Sequence, residues 1–405
     1  MTFLFAWRYF KAKKTTNAIN IISWISILAI AVGAAALILV LSVFNGFEDL
    51  VKGLYADFYA DVRVGPAKGK TITLTTDQLQ KLRGTPGVAT MSLIAEEKAV
   101  LVNEEYQSII YLKGVDEQYT QVNGLAKHII KGKFLTGVAD DPLLVLGAGI
   151  ENAVGVEPGV SIQPLTVYLP NRKAVNFSGM DALNSYNAFV SGSFVLQQDF
   201  DNKYAITNLG FVKYMLDMAE DEYTAAEIAL TPGTDVEDIT DQLSAVLGKD
   251  YQVQTRYQQN QSLYAVMQME KWVIYGILSI ILVVAAFNMI GALTMLVLEK
   301  QKDIAVLRAM GADNHYIQRI FVNEGIVLAT VGGGIGILLA AGICYLQIEY
   351  KLLKLSGGSF IIDYYPVKML PQDFLLVVST VFFISLLAAY IPARKASRQQ
   401  FSLKS

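Results

Sequence analysis

One cysteine, Cys344, and two histidines, His128 and His315, are all that 405 residues supply of thiol and imidazole. A lone thiol closes no intrachain disulfide, and two distant histidines make no shared metal or proton-relay site. HExxH, GxSxG and paired cysteines are missing too. Charge is scarce, at 17%, and four windows contain no Asp, Glu, Lys or Arg at all: 15–47, 272–298, 325–348 and 374–393. Each exceeds or meets the roughly 20 apolar residues that cross about 30 Å of hydrocarbon. Their polar groups are limited to side chains such as Ser26, Asn45, Asn288 and Thr294. Buried charges are kept where ions or polar solutes pass, so this lack argues against an ion-coupled transporter or channel.

What is present divides the chain between two solvents. An apolar content of 53% and a mean hydropathy of +0.39 are too high for an ordinary soluble enzyme and too low for a protein wholly in lipid. Arg8, Lys11, Lys13 and Lys14 precede the first window, and Arg394, Lys395, Arg398 and Lys404 follow the last. Both ends are therefore expected in the cytoplasm. Residues 48–271 carry 18 basic against 29 acidic side chains, which fits the outer side. The first window outruns the 7–15 residues of a signal-peptide core, so it is expected to be a retained anchor.

The expected fold class is an α-helical membrane protein with four transmembrane helices plus a large extracytoplasmic α/β domain carrying a β-rich insertion. Residues 1–18 read as a cytoplasmic interfacial helix, with Trp7, Tyr9 and Phe10 at headgroup depth. Spans are expected at 19–47, with a stalk, and at 272–298, 325–348 and 374–393. A cytoplasmic loop at 299–324, a short periplasmic loop at 349–373 and a cytoplasmic tail at 394–405 complete the membrane part. In the outer part, 48–115 and 225–257 form the α/β domain and 116–224 the insertion. Alternation predicts a hairpin of 88–102 with 106–115, and a second unit of strand 227–230, helix 236–247 and strand 251–255. Inside the insertion, 147–154 reads as helix, and 160–169 and 188–196 read as strands. Small residues at Ala29, Gly33 and Ala36, and glycines at 332 and 336, would let helices approach closely.

The segment 299–324, EKQKDIAVLRAMGADNHYIQRIFVNE, lies between two uncharged windows. Ile304 and Leu307 share a helical face, with Lys300, Lys302, Asp303 and Arg308 on or beside the opposite flank. Gly311 is a stop signal, and Ile317, Ile320 and Phe321 restart the helical spacing. By pattern alone such a hairpin either rests on lipid headgroups or fits a groove on a cytoplasmic partner.

The run IAVLRAMGA followed by IQRIFVNEG resembles the coupling loop of FtsX-type ABC permeases. LEKQKDIAVLRAMGA is most similar there to the lipoprotein-releasing permeases of the LolC and LolE type. LSVFNGF at the end of the first span and IPARKASRQ after the last resemble the stalk and basic exit of the same proteins. The resemblance implies ATPase coupling through Asp303, Ile304, Leu307, Arg308, Ala309 and Gly311. It implies a lipoprotein cleft, placed near Val40, Phe44, Phe47, Val273 and Ile277. It also implies a carrier-binding hook at Phe177, Ser178, Gly179 and Met180, since FSGM resembles the family's hook. Expected partners are a cytoplasmic ABC ATPase dimer, a second permease subunit, a lipoprotein, a periplasmic lipoprotein carrier and membrane lipids, with no nucleic acid among them.

No nucleotide site is expected in the chain, so ATP and magnesium would sit on the partner ATPase, and no resident cofactor or metal is expected. GPAKGKT at 65–71 imitates a phosphate loop but has three residues between its glycines, and LSGGS at 355–359 imitates an ABC ATPase motif on the wrong side of the membrane. Two other functions fit the same features. One is a permease of this superfamily that moves a peptide or drug or activates a cell-wall hydrolase. The other is a membrane-anchored receptor or scaffold that needs no ATPase.

Overall fold

A computed structural model describes residues 17–159, 161, 163–172, 182–355 and 362–398, with no side-chain account of 17–20. The interfacial helix expected at 1–18 lies almost wholly outside them. Contacts divide the chain into two units, Val51–Tyr264 and Met1–Leu50 with Ala265–Ser405.

The Val51–Tyr264 unit is built on strands β1 (Val62–Pro66), β2 (Ile72–Thr73), β3 (Val88–Asn103), β4 (Tyr106–Val115), β5 (Ile129–Gly132) and β6 (Leu143–Gly147). It continues with β7 (Leu165–Pro170), β8 (Leu183–Phe194), β9 (Tyr204–Asn208), β10 (Glu222–Tyr223), β11 (Ala225–Leu230) and β12 (Tyr251–Thr255). Ten of these make one sheet in the order β12-β1-β11-β3-β4-β9-β6-β8-β5, with β7 bridging β3 and β8. β3 is long enough for two neighbours on one edge, pairing β11 through residues 88–94 and β7 through 100–102. The path β3-β4-β9-β6-β8-β7 therefore returns to β3 and closes a six-stranded ring. The boundaries expected at 115/116 and 224/225 fall inside this hydrogen-bonded sheet, because β4 pairs β9 in parallel. Strand β8 starts five residues before the expected 188, since the polar run from Leu183 pairs β7 from Leu183↔Pro170 to Ala188↔Leu165.

Two helices, Thr76–Gly84 and Val236–Leu247, cover the β1/β11/β3 end, where Val64, Leu82, Met91, Ile228, Ile239 and Leu243 share one core. The first is capped by Thr75 in a capping box with Gln78. The second is capped by Asp235, whose carboxylate accepts from the backbone N–H of Glu237 and Asp238 at 3.0 and 3.3 Å. Asp235→Ala should lower local stability by about 1 kcal/mol, a roughly fivefold loss of hydrogen-exchange protection across 236–247. Unchanged protection there would contradict the cap.

The last two turns of the first long helix (Asn17–Phe58) belong to this unit and end against a second core. Phe58 stacks on Phe200 with centroids 4.2 Å apart, and the Asp57 carboxylate meets His128 Nε2 at 2.8 Å.

Among the described residues, four helices that lie wholly or mostly in the other unit are long and apolar enough to cross a membrane: Ile21–Phe58, Gln261–Glu299, Asn314–Tyr350 and Pro371–Arg398. Ile30, Leu37, Leu41, Met289, Leu293, Phe321, Leu328, Val377 and Ala389 are among the side chains of their common core. A Cβ built on Gly332 or Gly336 would lie 2.8 Å from the Ile27 carbonyl oxygen or 2.2 Å from that of Ala31. The third helix meets the first through Ile27 and Ala31, while Gly33 of the expected stripe faces the second helix, where a built Cβ would lie 2.8 Å from Leu282 Cδ1.

Candidate functional site

The segment between the second and third apolar helices forms its own short helix, Gln301–Ala309. Lys300 Nζ lies 3.5 Å from Asp303 in the first turn, where a carboxylate suits the helix dipole. The helix ends in a Schellman motif: Gly311 N–H donates to Arg308 O at 2.9 Å and Ala312 N–H to Leu307 O at 3.0 Å. Gly311 has φ +92° with open space around its missing Cβ, so backbone conformation alone requires glycine there. Asp313 then caps the third apolar helix, accepting from Tyr316 N–H at 2.7 Å.

Packing sorts the six expected coupling residues into two groups. Ile304 is buried in the helical core, which Ile317 and Phe321 share, while Leu307 and Arg308 are half-buried. The Arg308 guanidinium turns inward and donates through Nη2 to Ser397 O at 2.7 Å and to Asn314 Oδ1 at 3.3 Å. Asp303, Ala309 and Gly311 are exposed. Beside them lie two apolar side chains that the sequence reading passed over, Val306 at 50% and Met310 at 79% exposure. Their signal was the i, i+4 spacing on the face opposite Ile304.

The expected cleft residues form open surface within one chain. Val40, Val273 and Ile277 are exposed; Phe44 and Phe47 are half-buried, with Phe47 edge-on to Tyr365 at 6.1 Å. A cavity of about 250 Å³ nearby is lined by Leu41, Gln268, Lys271, Trp272, Tyr275, Gln372, Asp373 and Leu376. Its wall holds a polar ring that the sequence reading also missed. Asn45 Nδ2 donates to Asp373 Oδ2 at 2.5 Å, and Lys271 Nζ donates to Asn45 Oδ1 at 2.8 Å and lies 3.3 Å from Asp373 Oδ1. Lys271 and Asp373 each flank an uncharged window by one residue, which was the available hint.

Phe177, Ser178, Gly179 and Met180 lie outside the described residues. The phosphate-loop imitation at 65–71 leaves β1 into bends with no helix to present its N-terminus to a phosphate, and Lys70 is paired with Glu97 at 3.0 Å.

Residues 275–401 match the family described as FtsX-like permease C-terminal, and residues 23–246 match the MacB-like periplasmic core domain. The lipoprotein-releasing system transmembrane protein LolC of Xylella fastidiosa is 28% identical over 404 residues, covering 97% of this chain and 95% of that one. LolE of Haemophilus influenzae is 27% identical over 422 residues, covering 98% and 97%. The periplasmic region of MacB from Actinobacillus actinomycetemcomitans aligns with a TM-score of 0.36 at 13% identity, over 53% of this chain and 98% of its own.

Proposed function

Because the chain belongs to the FtsX/MacB-type ABC transporter permeases, and is similar along nearly its whole length to LolC and LolE, we propose that it is the permease subunit of a lipoprotein-releasing ABC complex. The complex extracts lipoproteins from the bacterial inner membrane and hands them to a periplasmic carrier. The observation that carries this reading is the conjunction of both family matches on one chain, with similarity through 97% of it to a lipoprotein-releasing relative.

On this reading the four apolar helices cross the inner membrane, both termini are cytoplasmic and the sheet domain is periplasmic. The short helix Gln301–Ala309 offers Asp303, Val306, Ala309 and Met310 to a cytoplasmic ATPase, and the buried Ile304 passes the load into the helices behind it. ATP and magnesium are bound and consumed on that partner. A second permease, a copy or a paralogue, completes a cleft over Val40, Phe44, Phe47, Val273 and Ile277. Acyl chains leave lipid at about 0.8 kcal/mol per CH₂, so some 14 carbons oppose extraction by roughly 11 kcal/mol. That load explains the need for an ATPase. The segment with Phe177 to Met180 then meets the carrier.

The test is reconstitution of the chain with its co-purifying subunits in liposomes holding a labelled lipoprotein. ATP should move label into the soluble fraction only when a carrier is present, and crosslinkers at Val273 and Ile277 should reach the lipoprotein. A permease for peptide or drug efflux, or for hydrolase activation, would hydrolyse ATP without releasing label. A scaffold would purify without any nucleotide-binding chain.

A further inference from the structure

The fourth apolar helix, Pro371–Arg398, is held at both ends by side chains from other elements. At its first turn Asp373, 6% exposed, closes the ring with Asn45 of the first helix, 2% exposed, and Lys271 of the second. Near the far end of its described residues, Arg308 of the short helix Gln301–Ala309 donates to the Ser397 carbonyl oxygen at 2.7 Å. The grip at the first turn agrees with the helix dipole, a carboxylate at the positive end. Asp373 and Ser397 are 24 residues apart along it, about 36 Å of helix.

From these two grips we infer that the fourth helix is a strut. A displacement of the short helix Gln301–Ala309 pulls on Ser397 through Arg308, and the pull arrives at the far end as a shift of Asp373 against Asn45 and Lys271. This rests on the ATP-driven reading above and adds the route the stroke takes. A rung is missing at Pro392, which cannot donate to the Ala388 carbonyl. Ala388, Ala389, Ala393 and Ala396 on either side of it are buried in the helical core, which keeps the segment from folding there. The ring has somewhere to open, because Lys271 and Asp373 also line the 250 Å³ cavity. When Asp373 leaves Asn45, only the direct Lys271–Asn45 hydrogen bond still ties the outer ends of the first two helices, and those helices carry the expected cleft.

The experiment uses the purified complex with its ATPase, in liposomes, in a Cys344→Ser background. Asp373→Asn should assemble and hydrolyse ATP near the wild-type rate while lipoprotein release falls about tenfold, and Lys271→Asp with Asp373→Lys should recover most of it. A purely structural role predicts instead that assembly, hydrolysis and release fall together, which would overturn the proposal, as would unchanged release. A second readout needs no cargo. In Leu41→Cys with Leu376→Cys, both at the cavity, disulfide yield should change at least about threefold on adding ATP, and Arg308→Gln should abolish that response in complexes isolated with the ATPase still bound. A response that survives Arg308→Gln refutes the strut. A response in a complex that releases no lipoprotein would leave the strut standing and remove the proposed cargo.

Discussion

Val306→Asp combined with Met310→Asp should strip the chain of its nucleotide-binding partner while the helices around it stay folded. Both side chains are exposed on the short helix whose other face packs through Ile304, so neither supports the core. Burying a valine or a methionine is worth about 1.5–3 kcal/mol each, so losing the pair removes roughly 3 kcal/mol or more of docking energy. Each 1.4 kcal/mol is about tenfold in affinity, which makes the expected loss at least about a hundredfold before the added cost of desolvating two carboxylates. The measurement is recovery of the ATPase with the tagged chain, beside thermal melting of the chain alone. Wild-type recovery would place the docking surface elsewhere. Substituting Leu307 or Arg308 is a poorer probe, because both are half-buried and Arg308 is tied to Ser397, so their loss mixes docking with packing.

The short helix shows what a sequence can and cannot disclose. Its end was legible because helix termination is local chemistry: Gly311 must accept a positive φ. The same locality made the hairpin of β3 and β4 and the helix Val236–Leu247 readable from alternation and caps. Ring closure was not readable. The pairing Val100↔Tyr168 joins strands with most of the sheet domain's first half between them, and period-two patterning states which face a residue takes but not which strand lies beside it. The direction of Arg308 was likewise hidden, since helical spacing placed it on a polar flank while the Ser397 carbonyl on a distant helix drew it inward. The Asn45–Lys271–Asp373 ring joins three helices, and its members read singly as a tolerated amide and two flanking charges.

The largest stability effect should come from a pair that patterning also concealed. Lys113 on β4 and Glu227 on β11 are 1% and 2% exposed, with Nζ 2.7 Å from Oε1. The ammonium also lies 5.0 Å from the Phe58 ring and 4.9 Å from the Tyr119 ring, so it joins the sheet to the end of the first long helix. Burial pushes the Lys113 ammonium towards neutrality, but Glu227, with Tyr119 and Glu96, more than reverses this, and the net direction is upward. Burial also raises the Tyr119 phenol to about 12, leaving it neutral beside the cation. A folded-state value above the unfolded one means that the lysine's contribution is complete below its ordinary value of about 10.4 and disappears only as the pH rises through the higher folded value. Stability should therefore show no Lys113-dependent change between about pH 6 and 9, a range set well below that ordinary value. Lys113→Met leaves a buried carboxylate without its cation, a loss of about 3–5 kcal/mol, whereas adding Glu227→Leu should restore most of it, because a buried pair is often replaceable by apolar packing. Denaturant melting of the full chain in detergent, followed through the sheet domain, measures both. A single variant within about 1 kcal/mol of wild type, or a double variant no better than the single, would show that the pair is not what holds β4, β11 and Phe58 together.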